Sequence, residues 1–410
     1  MSDYFRSLQR KKLEETVDTY YCDDSFDFTG IVNKIGRDMV KHRIRAIISL
    51  LISLNLSFFS ARMFLKMRQA ESIVPGEGVS QVGLLSDYFQ GIKNTRGDTE
   101  VFILEGDSPG GTAVILGGTH PNEPAGFVTA VCLIENMKIA HGRLIIIPRA
   151  NNSGFTHSDP QEGTPQIFVI ETKHGERWFR YGSRSTNPID QWPDPEVYQH
   201  YPSKQKLSGT ETRNLNRAYP GRPNGSLTEK VAYAIMQLME KEHVDLALDL
   251  HEASLEYPVI NALVTHPLAV ELAGEAVMAL QLEDLNFSLE PSPENFRGLS
   301  HREWGDHLQI PAILMESANV MQGRYHGRVS QDVIITGKDR FNYEAAHHGL
   351  LEVEYPEEGI PLKRRVGRHL LGIQTIFQIW SEKYPQQAIV IEDVPDFTEL
   401  QEKGIGAFLH

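Results

Sequence analysis

Thr112-Ala113-Val114-Ile115-Leu116 runs directly into Gly117-Gly118-Thr119-His120-Pro121-Asn122-Glu123-Pro124-Ala125-Gly126. A short apolar run closed by a glycine pair reads as a β-strand that stops in a tight turn. That turn carries His120 and Glu123, three residues apart. A neutral imidazole and a carboxylate are two of the donors that a zinc ion takes. A second apolar run, Val244 to Leu250, ends on His251 and offers a third. Two histidines and one carboxylate leave a fourth position for water.

A single His-x-x-Glu is a weak signal, because the same pair on a polar turn usually faces solvent. Two further segments strengthen it. Asn214-Leu215-Asn216-Arg217-Ala218-Tyr219-Pro220-Gly221 lies between the ligand segments, and the apolar run Ile310 to Met315 delivers Glu316 at its end. With G-G-x-H-x-x-E, N-L-N-R-x-Y-P-G, D-L-H and a late strand ending in Glu, in that order, the chain resembles the zinc carboxypeptidase superfamily. Within it the likeness is to the succinylglutamate desuccinylase/aspartoacylase branch, over roughly Ala113 to Ser317.

The resemblance implies one zinc ion per chain held by His120, Glu123 and His251, with Glu316 as the general base. It implies that Asn216 and Arg217 hold a substrate carboxylate, with Arg213 as a helper. One position departs from many relatives: Asn214 stands where they have Asp. Asn214 can accept the same hydrogen bond from a ligand imidazole but adds no negative charge.

The residue chemistry points the same way on its own. Zinc acidifies water and polarises a carbonyl, and a nearby carboxylate completes the activation at neutral pH. The planar guanidinium of Arg217 suits a carboxylate bidentately. The plain alternatives are a surface ion pair for Arg217, a solvent-facing carboxylate for Glu316 and a satisfied core histidine for His251.

The 410 residues, 40% of them apolar, can build a substantial core, and the net charge of −14, with no long basic stretch to offset it in the catalytic region, argues against a nucleic-acid partner. Cys22 and Cys132 stand far apart and suggest no disulfide framework, which favours a reducing compartment. A cytoplasmic location is the expectation.

Residues 1–95 read as an N-terminal segment distinct from the rest. An acidic patch at Asp23, Asp24 and Asp27 is followed by Lys34, Arg37, Lys41, Arg43 and Arg45, and then Ala46 to Ala61 carries no charge at all. These 16 residues fall just short of the roughly 17 to 25 of a membrane span. Three readings stay open for helix 46–61. It is buried against the catalytic domain or a second copy of the chain, it anchors the protein in a membrane, or, with Met39 as the start, residues 39–61 have the layout of an export signal.

From residue 96 to 385 strands and helices alternate, which predicts an α/β catalytic domain whose mixed, largely parallel central sheet carries helices on both faces. Expected strands are Glu100 to Leu104, Thr112 to Leu116, Arg143 to Pro148, Val244 to Leu250, Pro258 to Val264 and Ala312 to Met315. Expected helices are Ala125 to Asn136, Ser226 to Glu240 with a capping box closed by Glu229, Leu268 to Leu280, and Arg365 to Trp380. The proposed ligands and base follow strand C-termini, where open α/β sheets place their sites.

Residues 151–212 break the alternation and read as an irregular wall of the cleft, with Arg180 and Arg184 as anion contacts. Asn295 to Glu303 forms a second wall from which Arg297 or His301 reaches substrate. Residues 318–345 read as a polar excursion and 386–410 as a C-terminal tail in which Gln387 to Asp393 is a candidate strand, with little room for a separate β domain.

The expected function is a zinc-dependent hydrolase that removes an acyl group from an N-acyl amino acid or similar small carboxylate. A carboxypeptidase acting on peptide C-termini would use the same constellation, and a catalytically silent zinc-binding or membrane-associated scaffold is the reading from another class. A serine nucleophile is not expected.

Overall fold

The computed structural model describes residues 28–159, 163–283 and 285–410. Cys22 and the acidic patch at Asp23, Asp24 and Asp27 lie outside them. The chain divides into two compact units, Met1–Met63 and Phe64–His410.

Helix α1, Phe28–Met67, is 40 residues long. The segment 46–61 is helical as expected, but the helix extends well beyond it on the N-terminal side, where no proline interrupts residues 28–45. Val32–Met67 is long and apolar enough to cross a membrane by length and composition.

The second unit is built on β1 (Val79–Leu84), β2 (Glu100–Glu105), β3 (Ser108–Leu116), α2 (Pro124–Asn136) and β4 (Lys138–Ile147). Two hairpins follow, β5 (Ile167–Thr172) with β6 (Gly175–Arg180), and β7 (Val197–Gln199) with β8 (Lys206–Ser208). The chain continues through α3 (Leu227–Lys241), β9 (Leu246–Ser254), β10 (Ala262–Thr265), α4 (Val270–Leu282) and β11 (Ser288–Pro291). It closes with α5 (Ser300–Leu308), β12 (Ala312–Asn319), α6 (Gln331–Thr336), α7 (Arg340–His347), α8 (Leu362–Lys383), β13 (Val390–Glu392) and α9 (Phe397–Lys403).

The main sheet has the order β1-β2-β4-β3-β9-β12-β10-β11, with β13 on β4. Its centre, β4-β3-β9-β12, is parallel, while β1, β2 and β10 pair antiparallel with their inner neighbours. The central strands carry near-continuous apolar runs because helices cover both faces, with polar residues such as Asp249, His251, Glu252 and Glu316 toward the C-terminal halves of β9 and β12. Ala113, Ile115, Leu144, Ile146, Leu248 and Met315 point into a core shared with α2, α4 and α8. The alternating residues Val114, Leu116, Ile145, Ile147 and Ala247 point into the other, shared with α3 and Trp304 of α5. The predicted start of α3 is met, since Ser226 and Glu229 form the reciprocal capping box.

Three boundaries differ from the sequence expectation. The compact unit begins at Phe64 rather than residue 96, because β1 pairs with β2 and Glu71, 3% exposed, is the counter-ion of buried Arg180 and Arg149. Residues 386–410 are no loose tail: the strand expected within Gln387 to Asp393 is present as β13 and pairs with β4, and Leu400 and Leu409 are buried. The stretch 151–212, read as irregular, contains the two hairpins, and 318–345 contains α6 and most of α7.

Candidate metal centre

Strand β3 ends at Leu116, and the turn that follows packs so closely on α2 and Phe155 that a side chain at Gly117 or Gly118 would collide. Gly118 also adopts φ +64, a conformation that only glycine takes without strain. This tight turn places His120 and Glu123 at the mouth of α2. His251 enters from neighbouring β9, and its register partner on β12 is Glu316.

The three predicted ligands converge. Donor atoms of His120, Glu123 and His251 lie within 4.8 Å of one another, all buried. His120 Nδ1 is 2.8 Å from Glu123 Oε1, His251 Nδ1 is 3.0 Å from Glu123 Oε2, and the two Nδ1 atoms are 3.1 Å apart.

The partners on the far side of each ring decide which nitrogen faces inward. Asn214 Oδ1 accepts from the backbone N–H of Asn216 at 3.0 Å, so it must be an acceptor for His120 Nε2 at 2.9 Å. His120 therefore carries its proton on Nε2 and turns a lone pair on Nδ1 toward the cluster. Burial and the nearby Arg184 lower its pKa to about 4, which keeps it neutral. His251 Nε2 lies 2.9 Å from Asp249 Oδ2, and Asp249 is held by Thr119 Oγ1 and Ser300 Oγ. Burial disfavours the His251 imidazolium, but Asp249 and Glu123 outweigh it and raise the pKa well above the usual histidine range. Two imidazole nitrogens and a carboxylate with one shared focus fit a divalent cation, which takes the place of a proton there.

Asn214 thus fills the orienting role anticipated for it, without charge. An Asn214→Asp variant is expected to bind the metal about tenfold more tightly, because a charged acceptor raises the basicity of His120. A competition titration against a chromophoric chelator measures this, and unchanged or weaker affinity would remove Asn214 from that role.

Glu316 lines the same pocket as the three ligands. It is partly buried, its Oε2 is shielded from solvent without a hydrogen-bond partner, and this desolvation pushes its pKa up to about 8. Glu123 is driven the other way, since the two histidines overcome its burial and hold it well below the usual carboxylate range. One carboxylate is thus fixed as an anion while the other can take up a proton near neutral pH.

Asn216 and Arg217 also line this pocket, a cavity of about 400 Å³. Asn216 Oδ1 accepts from the backbone N–H of Ser300 at 2.8 Å. Arg217 lies 4.5 Å over the Phe296 ring and donates to Asn216 O at 2.6 Å. Burial, then the charge of Arg184, lowers its pKa to about 10, so the guanidinium remains charged. Arg184 also reaches the centre, with Nη1 3.0 Å from Glu123 Oε1 and 3.2 Å from His120 Nδ1.

Two predicted substrate contacts are not brought here. Arg213 is engaged by both oxygens of Asp194, at 2.8 and 3.0 Å, and by Thr186 O. Arg297 pairs with Asp306 at 2.6 Å and Glu303 at 2.9 Å. Arg180, the other arginine of the expected cleft wall, is buried against Glu71. Carboxylates that the fold brings beside them claimed all three. Gly106-Asp107-Ser108-Pro109-Gly110 does match G-x-S-x-G, but Ser108 opens β3 instead of following a strand into a helix, so it forms no nucleophile elbow.

Two contributors escaped the sequence reading. Asp249 stands two residues before His251 on one strand, and the two-residue period that puts both on one face was the available signal. Glu252 faces the other way and accepts from Arg365 Nη1 at 2.6 Å and from the N–H of Ala125 at 2.9 Å, while its own N–H donates to Glu123 Oε2. Arg365 lies 113 residues away and no local pattern announces that pair.

No family model matches the chain. It is 26% identical over 168 residues to the N-alpha-acetyl-L-2,4-diaminobutyric acid deacetylase of Halomonas elongata, an alignment covering 40% of this chain and 35% of that protein. The chain thus spans about a third of the length of this relative. Among solved structures, it superposes on the ectoine utilization protein EutE (DoeB) from Ruegeria pomeroyi with 22% identity and TM-score 0.33, covering 53% of each chain. On a metallo-carboxypeptidase from Burkholderia cenocepacia the identity is 11% and the TM-score 0.42, covering 79% of this chain and 69% of that one.

Proposed function

We propose that this chain is a zinc-dependent amide hydrolase that removes an acyl group from an N-acyl amino acid or a similar small carboxylate. The observation that carries the reading is the cluster of His120 Nδ1, His251 Nδ1 and Glu123 in one pocket with Glu316, a carboxylate with a shielded, unpartnered oxygen. The similarity to a deacetylase over part of the chain supports it.

His120, Glu123 and His251 would hold the zinc ion. When bound, zinc supplies a Lewis acid that polarises a carbonyl and acidifies water. Glu316 takes a proton from the attacking water on its free Oε2 and returns it to the leaving amine. Its raised proton affinity suits both transfers. Asp249 and Asn214 hold the two imidazoles in the tautomers that face inward. Arg217 offers its fork to the substrate carboxylate, with Asn216 beside it. The cavity of about 400 Å³ suits a small substrate. Release of free amino acid from N-acyl amino acids, but not from short peptides, is the experiment that tests this reading. Cleavage of peptides alone would replace it with carboxypeptidase action.

Arg217 gives a sharper prediction. Arg217→Ala is expected to cost about 1.5 to 3 kcal/mol of transition-state binding for a carboxylate substrate, the contribution of a charge-assisted hydrogen bond. Arg217→Lys should restore only part of this, since an ammonium lacks the planar fork. Comparing kcat/KM for an N-acyl amino acid and its amide analogue isolates the contact. A preference for the free carboxylate that survives Arg217→Ala would assign the role to Arg184.

A further inference from the structure

Beyond the metal cluster the pocket runs across the sheet toward its β11 edge. The register places Glu316, Leu314, Val264 and Glu290 in order: Ala262 pairs with Glu316, Val264 with Leu314, and Val264 with Glu290. Residues in one cross-strand row share a face, so Leu314, Val264 and Glu290 continue the surface on which Glu316 stands. Two strand spacings and two residues put the Glu290 Cα about 12 Å from that of Glu316. The floor between them is apolar, with Leu314 and Val264 buried.

Two polar groups along this strip have no partner among the described residues. Glu290 is half-buried, lines the pocket, and makes no hydrogen bond or ion pair. His301 lines the same pocket at 2% exposure, with neither ring nitrogen hydrogen-bonded. Leaving a buried polar group unsatisfied is costly, so such a group in a pocket wall calls for a partner from whatever fills the pocket. Burial lowers the His301 pKa to about 3, leaving a neutral ring that offers one N–H and one lone pair. Arg302, the next residue, binds Ser292 just past the end of β11, which brings the His301 wall beside the Glu290 strand. The arginines that would have welcomed a second substrate carboxylate, Arg213 and Arg297, are held in ion pairs elsewhere.

We propose that this strip is a specificity subsite for an ammonium group, so that the preferred substrates are N-acyl amino acids whose side chain is a short alkyl chain ending in an amine. The alkyl part lies on Leu314 and Val264. The ammonium donates to Glu290 and to the lone pair of His301. A dicarboxylate amino acid is repelled by the same Glu290. This rests on the acyl-amino-acid reading of the site.

The test compares kcat/KM of the zinc-loaded protein for Nα-acetyl-lysine and Nα-acetyl-ornithine with that for the neutral Nα-acetyl-norleucine and the acidic N-acetyl-glutamate. A charge-assisted contact predicts a preference of about tenfold to a hundredfold for the better amine substrate over norleucine. Glu290→Gln should remove most of that ratio, and His301→Phe, which keeps the ring but not its nitrogens, a smaller part. Equal rates for lysine and norleucine derivatives, or a ratio unchanged in Glu290→Gln, would overturn the subsite. If none of these amides is hydrolysed, the functional reading fails, and calorimetric binding of free lysine, ornithine and norleucine to the same protein judges the subsite separately. Tighter binding of an amine ligand that is lost in Glu290→Gln upholds it, and indistinguishable binding refutes it. Unchanged circular dichroism of both variants confirms that they fold.

Discussion

His251→Ala is expected to strip the metal centre and reduce amide hydrolysis to background. The three donors come from two segments, and His251 is the only one supplied by β9. Its loss leaves His120 and Glu123, a pair too few for a closed site of the kind that holds zinc through three protein ligands. Elemental analysis of the purified variant should find little zinc, whereas wild type should carry about one ion per chain. Because His251 is buried, the variant is paired with a second treatment: stripping wild type with a chelator should abolish turnover, and adding zinc back should restore it. Zinc retained at full occupancy in His251→Ala would take this histidine out of the ligand set.

Glu316→Gln should lower kcat by about 10² to 10⁴, the range of a general base, with zinc content unchanged. The amide keeps the shape and the position but cannot accept a proton. The split between activity and metal content is the informative readout, because Glu316 belongs to the pocket without belonging to the three-residue cluster. A variant that turns over at near wild-type rate would show that another group moves the proton. A variant that also loses its metal would show that Glu316 belongs to the metal's coordination.

Both predictions concern residues that were legible before any coordinates. The ligand turn, D-L-H and the strand ending in Glu316 are local patterns: each places a chemically suited side chain directly after an apolar run, and strand C-termini in an α/β sheet share one edge. The strand order and register then had to bring them together, and they do, with Glu316 beside His251 on adjacent strands.

What remained hidden was decided by which carboxylate the fold brings to each arginine, from six residues away at Arg297 to 109 at Arg180. Arg180, Arg213 and Arg297 look alike in sequence to Arg217, yet each is neutralised by a carboxylate, Glu71, Asp194, or Glu303 with Asp306. Only Arg217, held over Phe296 and 3.6 Å from Glu211, and Arg184 at the cluster face the pocket. An arginine takes whichever carboxylate the fold brings near, and that choice has no local signature.

The sequence by itself determined the α/β class and placed His120, Glu123, His251 and Glu316 at strand ends that share one edge, the positions from which the proposed ligand set and base are drawn, because strand ends are encoded over a few adjacent residues. Tertiary structure fixed which ring nitrogens turn inward, by seating Asn214 on His120 and Asp249 on His251, and decided which arginines remain available to a substrate. It also showed that an apolar strip leads from Glu316 to Glu290. Those properties depend on pairings between segments up to about 100 residues apart or more, and the free energy of a buried charge is set by the neighbour it finds there.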